Sequence, residues 1–216
     1  MSRLPPSLPG GIEVIAHPDP LESVYHALLE TAPRLIREHS PDIVVHVGLA
    51  PGQDYYSLEQ GARRDGYHQS PDIARRVLTK AESRTAWGKK SADALETSFD
   101  LPRVLEGWRQ RLRAAGGGNG KSKGGKGKPT CAAGGKTAYD VDVRHTDDVG
   151  NYVCGLLYYA TLAELARSSP DGSRYVVFLH VPPPLGAGAE QDRDWGKGLA
   201  VLVALIESLA DAWRQR

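Results

Sequence analysis

The sequence predicts an α/β sandwich around a mostly parallel sheet. Two segments, residues 42–49 and 174–181, are nearly apolar throughout and rich in β-branched residues, the pattern of strands buried on both faces. Segments with apolar residues at helical spacing alternate with them, and such alternation specifies helices packed on a sheet. At 216 residues the chain is long enough for one domain with a well-buried core.

In chain order, Ile12-Glu13-Val14-Ile15-Ala16 alternates as a first strand, and His17-Pro18-Asp19-Pro20 breaks it. A helix follows over about 21–39, carrying Val24, Leu28, Leu35 and Ile36; Pro33 predicts a kink or a fresh helix start. The apolar strand 42–49 ends at Ala50-Pro51-Gly52, and residues 54–59 form a further extended piece. Residues 61–90 are polar, with Arg, Asp and Gly throughout, and predict a loop over a sheet edge or cleft. Helical spacing returns over 101–114 with Leu101, Val104, Leu105, Trp108 and Leu112. A Gly- and Lys-rich insert, about 115–136, lacks the apolar area that would offset its ordering, which predicts a disordered loop inside one domain spanning 1–216. A short strand at 141–144, a helix over 153–165, the strand 174–181 and a last helix over about 195–214 complete the chain.

Charge excludes little but argues for nothing exotic. Lys+Arg number 27 against 26 Asp+Glu, so no global field calls for nucleic acid or an anionic membrane. No apolar run approaches the ~20 residues of a bilayer span, and the first residues lack the apolar core of a signal peptide. Two cysteines make no disulfide framework in a chain of this length. A cytoplasmic, reduced protein is the expectation. The segment Ala115-Gly116-Gly117-Gly118-Asn119-Gly120-Lys121-Ser122 fits a relaxed phosphate-loop pattern. It follows a polar helix end and leads into more Gly and Lys, whereas a phosphate loop joins a buried strand to a helix. It is read as a solvated linker, not as a phosphate or nucleic-acid site, and Cys131 within it has no partner at metal-ligand spacing.

Three residues carry chemistry. Cys154 falls in the first turn of the helix that follows Gly150-Asn151, where unpaired N–H groups and the helix dipole favour thiolate. A small core thiol fits the same apolar helix. His180 stands at the C-terminal end of a buried strand, the edge where ligands gather in open sheets; there it is either the base for Cys154 or a structural histidine. Glu59, a few residues past the strand 42–49, is placed to orient an imidazole or to sit solvated on a loop.

The chain resembles the pyroglutamyl peptidase I (pyrrolidone-carboxylate peptidase) family, fungal-type, from about residue 12 onward outside the Gly/Lys insert. Three motifs carry the resemblance: Pro41-Asp42-Ile43-Val44-Val45-His46-Val47-Gly48-Leu49-Ala50-Pro51-Gly52 leading to Leu58-Glu59; Thr146-Asp147-Asp148-Val149-Gly150-Asn151-Tyr152-Val153-Cys154; and Phe178-Leu179-His180-Val181-Pro182. The resemblance implies a three-layer α/β/α fold and a cysteine peptidase with Cys154 as nucleophile, His180 as base and acid, and Glu59 orienting His180. It further implies removal of N-terminal pyroglutamyl residues from peptides through a thioester, with no metal or cofactor. The family's Gly-Phe-x-Pro-Phe substrate loop has no counterpart here, and Leu49 stands where many members carry glutamine. Substrate-binding residues are therefore unassigned, and the alternative is an impaired relative acting as a binding or scaffold protein.

Overall fold

Four strands form the central sheet, built around one that is too apolar to face water. β8 (Val176–Val181) reads Val-Val-Phe-Leu-His-Val and is buried along almost its whole length. It pairs in parallel with β3 (Val44–Leu49) on one side and antiparallel with β4 (Tyr56–Glu59) on the other. β4 in turn pairs in parallel with β7 (Val143–Thr146), giving the order β3-β8-β4-β7. The computed structural model describes residues 4–88, 90–115, 141–147, 149–184 and 189–216, with only the backbone for 189–194. Most of the predicted Gly/Lys insert and Cys131 fall outside the described residues.

Helices cover both faces. α1 (Tyr25–His39) and α4 (Val153–Ser168) pack together on one, where Ile36, Tyr158, Leu162, Val176 and Phe178 form a core. α3 (Leu101–Ala114) and α5 (Ala189–Arg214) cover the other, closing Leu58, Trp108, Val177, Leu179 and Leu205 into a second core. The expected α/β/α layering around a mostly parallel sheet is what folds. α3 begins where predicted because Asp100 accepts from Arg103 N–H at 3.2 Å and a proline sits in its first turn. α1 starts later than expected, since its cap is remote: Asp72 accepts from Tyr25 N–H at 3.0 Å across 47 residues. The helix then runs through Pro33 without a new start.

Three expectations are corrected. The strand read over 12–16 is only β2 (Ile12–Glu13), paired with β1 (Ser7–Leu8) in a ribbon apart from the main sheet. Gly10 and Gly11, at φ of 81° and 76°, supply the turn that folds it back. The polar stretch 61–90 contains β5 (Gly61–Arg63) and α2 (Lys80–Trp87). β5 pairs with β6 (Ala94–Glu96), and α2 opens with a capping box between Thr79 and Glu82, a signal legible in Thr79-Lys80-Ala81-Glu82. Finally, β3 is not buried on both faces. It is an edge strand, and Val47 and Leu49 are 51% and 54% exposed.

Trp108 joins the two helices of its layer, its indole N–H donating to Val201 O at 2.9 Å from full burial. Trp108→Ala should cost about 3–5 kcal/mol in urea unfolding, the usual penalty for emptying an aromatic core site.

Candidate active site

The three residues singled out from the sequence come together on the face of the sheet beneath α4. His180, the fifth residue of β8, lies between Gly48 of β3 and Ser57 of β4 in the strand register. Glu59 is two residues along β4 from Ser57, on the same face and diagonal to His180. It is not a solvated loop carboxylate: its exposure is 0%. Because β4 and β8 are antiparallel, imidazole and carboxylate meet across the sheet and not at a shared C-terminal edge.

His180 Nδ1 lies 2.8 Å from Glu59 Oε1. A carboxylate only accepts, so Nδ1 carries the hydrogen and Nε2 is left for the Cys154 thiol, with which the ring also hydrogen-bonds. Two further donors hold Glu59. Ser57 Oγ donates to Oε1 at 2.9 Å, and Thr146 Oγ1 donates to Oε2. Tyr158 OH fixes the Glu59 backbone, donating to its carbonyl at 3.0 Å. Sequence reading missed Ser57 and Thr146. The first was legible as the residue two before Glu59 on one strand face; the second needed the pairing of β7 with β4, which sets Thr146 opposite Glu59.

Cys154 is the second residue of α4 and is partly exposed. The helix is capped at Tyr152 with no side-chain cap hydrogen bond, so Gly150-Asn151 approach it without serving as the cap. Glycines make the approach possible. A β-carbon at Gly155 would lie 2.1 Å from Gly150 O, so the loop could not pack on the first turn. A β-carbon at Gly48 would lie 2.7 Å from the Phe178 ring and 3.1 Å from Cys154 Sγ. Glycine within a strand marks such a close approach, here of the sulfur to the sheet.

Charge at His180 is set by competing effects. Burial works against the imidazolium, but the hydrogen bonds and negative charge of Cys154 and Glu59 outweigh it and push His180 up to about 9. The pair therefore favours imidazolium beside sulfur, the form that can protonate a leaving group. Among the described residues, no group of three His, Cys, Asp or Glu side chains is gathered to hold a metal, and no helix is long and apolar enough to cross a membrane.

Two outcomes follow from this geometry. The His180 imidazole should titrate near 9 by NMR and move down in Cys154→Ala and in Glu59→Gln, where burial is less opposed. Because its folded value exceeds the ordinary 6.5, its charge stabilises the fold in full below pH 6.5 and ceases to as pH rises through about 9. Gly48→Ala should destabilise the protein by about 1–3 kcal/mol in urea unfolding, since the Phe178 ring must shift to admit the methyl.

No protein-family model matches the chain. Human pyroglutamyl-peptidase 1 is 26% identical over 191 residues, 88% of this chain and 71% of the human protein. The mouse pyroglutamyl-peptidase 1 is 25% identical over 179 residues, 83% of this chain and 66% of its own length. Pyrrolidone carboxyl peptidase from Thermus thermophilus superposes with a TM-score of 0.59 at 22% identity, covering 97% of this chain and 87% of that one. The Pyrococcus furiosus enzyme gives 0.57 at 17% identity, over 90% of this chain and 80% of its own. The solved structures share the fold of this chain, and the curated proteins it is similar to are pyroglutamyl-peptidases.

Proposed function

We propose that the protein is a cysteine peptidase that removes pyroglutamyl residues from peptide N-termini. The observation that carries this is the buried Glu59–His180 pair at 2.8 Å, with the ring's other nitrogen turned to a partly exposed thiol at a helix start. The Cys154 thiolate attacks the carbonyl carbon of the pyroglutamyl amide, and backbone N–H groups in the first turn of α4 face the oxygen that becomes negative. As the C–N bond breaks, His180 gives its proton to the leaving amine, and a thioester remains on Cys154. Water, losing a proton to His180, then attacks the thioester and frees pyroglutamate and the thiol. Glu59 holds the ring tautomer throughout, as the acid does in other nucleophile–base–acid sets. The residues at hand carry these steps without metal or cofactor, as a single domain acting on peptides in the cytoplasm.

A second class is favoured by one observation. Val47 and Leu49 lie exposed on the strand that carries Gly48, an apolar surface of the kind that suits a protein binding peptides without turning them over. A fluorogenic pyroglutamyl amide separates the two. Wild type should hydrolyse it, Cys154→Ala should lose about 10³-fold or more, and Glu59→Gln about 10²–10⁴-fold. Equal rates from wild type and Cys154→Ala would remove the catalytic assignment in favour of the binding protein.

A further inference from the structure

The hydroxyls that reach Glu59 from beyond its own strand belong to one stretch of chain, and that stretch carries the thiol. Thr146 ends β7, just before the loop that leads to Cys154. Tyr158 follows Cys154 by one turn of α4, and residues four apart share a helix face. Thr146 Oγ1 donates to Glu59 Oε2, and Tyr158 OH donates to the Glu59 carbonyl at 3.0 Å. Ser57 and His180 both address the other oxygen, Oε1. Among the described residues, Oε2 therefore depends on Thr146. The Thr146 backbone is pinned at the same place: it stands opposite Glu59 in the register, and its carbonyl accepts from Gln60 N–H at 2.8 Å. Between Thr146 and α4, Val149 is buried in one core with Tyr158, and Gly150 O rests where a β-carbon of Gly155 would stand. The segment around Cys154 is thus tied to Glu59 on both sides of the sulfur.

We propose that Thr146 and Tyr158 form a latch that registers the Cys154 segment on Glu59, making both of them positioning residues for the thiol–imidazole pair. Cys154 comes from a helix and His180 from a strand, so no covalent neighbour fixes their separation. Glu59 orients the ring through Nδ1, and whatever fixes Glu59 relative to α4 also fixes the ring relative to the sulfur. Thr146 acts on the carboxylate. With Oε2 held, Oε1 is the oxygen turned to Nδ1. With Oε2 released, the carboxylate turns about its terminal bond, whose torsional profile is broad and soft, and the ring loses its fixed partner. Tyr158 acts on the backbone, its buried phenol spanning from α4 to β4 and setting how the first turns of the helix lie over that strand. The latch's part in turnover rests on the peptidase reading above; its effect on the imidazole is measured without turnover.

The test uses the full chain carrying Thr146→Val, Thr146→Ser or Tyr158→Phe. Valine matches threonine in shape and suits a strand, while serine keeps the hydroxyl. The His180 imidazole, followed by NMR, is opposed by burial and raised to about 9 by its bonds to Cys154 and Glu59. In Thr146→Val and Tyr158→Phe its titration should move down by at least about one pH unit, roughly tenfold in proton affinity, while Thr146→Ser stays with wild type. On a fluorogenic pyroglutamyl amide, both hydroxyl-free variants should lose roughly tenfold or more in kcat with KM held within about twofold, and serine should keep the rate. A merely structural role would lower the urea midpoint and leave the titration where it was. An unmoved titration in Thr146→Val, or a serine variant as impaired as the valine one, overturns the latch. If Tyr158→Phe does not fold, the two Thr146 variants decide alone. A wild type that hydrolyses no pyroglutamyl amide, with the titration still falling in the variants, keeps the latch and removes the peptidase assignment; full hydrolysis with unmoved titrations does the reverse.

Discussion

The site is organised by one demand: a carboxylate with no exposure must have every oxygen occupied. Taking an ion out of water costs several kcal/mol unless fixed donors replace the solvent. Glu59 meets that demand with groups from three adjacent strands: Ser57 from β4 itself, Thr146 from β7 and His180 from β8. The order β8-β4-β7 is thus tied to this buried cluster as well as to the core. Moving β7 would take Thr146 from Oε2, moving β8 would take the imidazole from Oε1, and the antiparallel step between β8 and β4 gives Glu59 its diagonal reach to the imidazole.

A second constraint acts across layers. The thiol comes from a helix and the imidazole from a strand, so their meeting depends on how closely α4 can lie on the sheet. The layer separation closes at two glycines. Gly155 admits the loop carbonyl of Gly150 against the first turn, and Gly48 leaves room for sulfur and the Phe178 ring over β3. Behind them the helix is apolar nearly all round, with Leu156, Tyr158, Tyr159, Ala160 and Leu162 buried. Its position is consequently set by packing along its length, and the start of the helix inherits that rigidity.

Much of this was legible in the sequence, for identifiable reasons. The helix 101–114 carries its own cap and stripe, and β8 carries its own apolar run, so local pattern and final structure agree. Cys154, His180 and Glu59 were legible through their motifs. What escaped depends on partners distant in sequence. The start of α1 is set by Asp72, the second hydroxyl on Glu59 by Thr146, and the exposure of β3 by which strands stand beside it. The strand read at Ile12 failed for the same cause: its alternation is real, yet among the described residues it pairs with a two-residue strand across two glycines and with no other, and Ile15 is left 59% exposed. An apolar run specifies a strand; the number of its neighbours is a property of the sheet.

Two histidines on adjacent strands show how far local pattern can go. His46 of β3 and His180 of β8 both face α4, and both contact Phe178 in the core below it. Their hydrogen-bond partners differ. His46 meets a hydroxyl: its Nε2 lies 2.9 Å from Thr161 Oγ1, which itself donates to Leu157 O. With no anion to oppose desolvation, its enclosure beneath α4 pushes it down to about 4. Burial also works against the charged form of His180, but it has a carboxylate on one nitrogen and a thiol beside the ring, and it rises to about 9. At neutral pH the first is a fixed neutral donor and the second a charged acid beside sulfur. The same residue type, similarly placed on one layer of the sheet, is held neutral or charged according to whether an anion shares its burial.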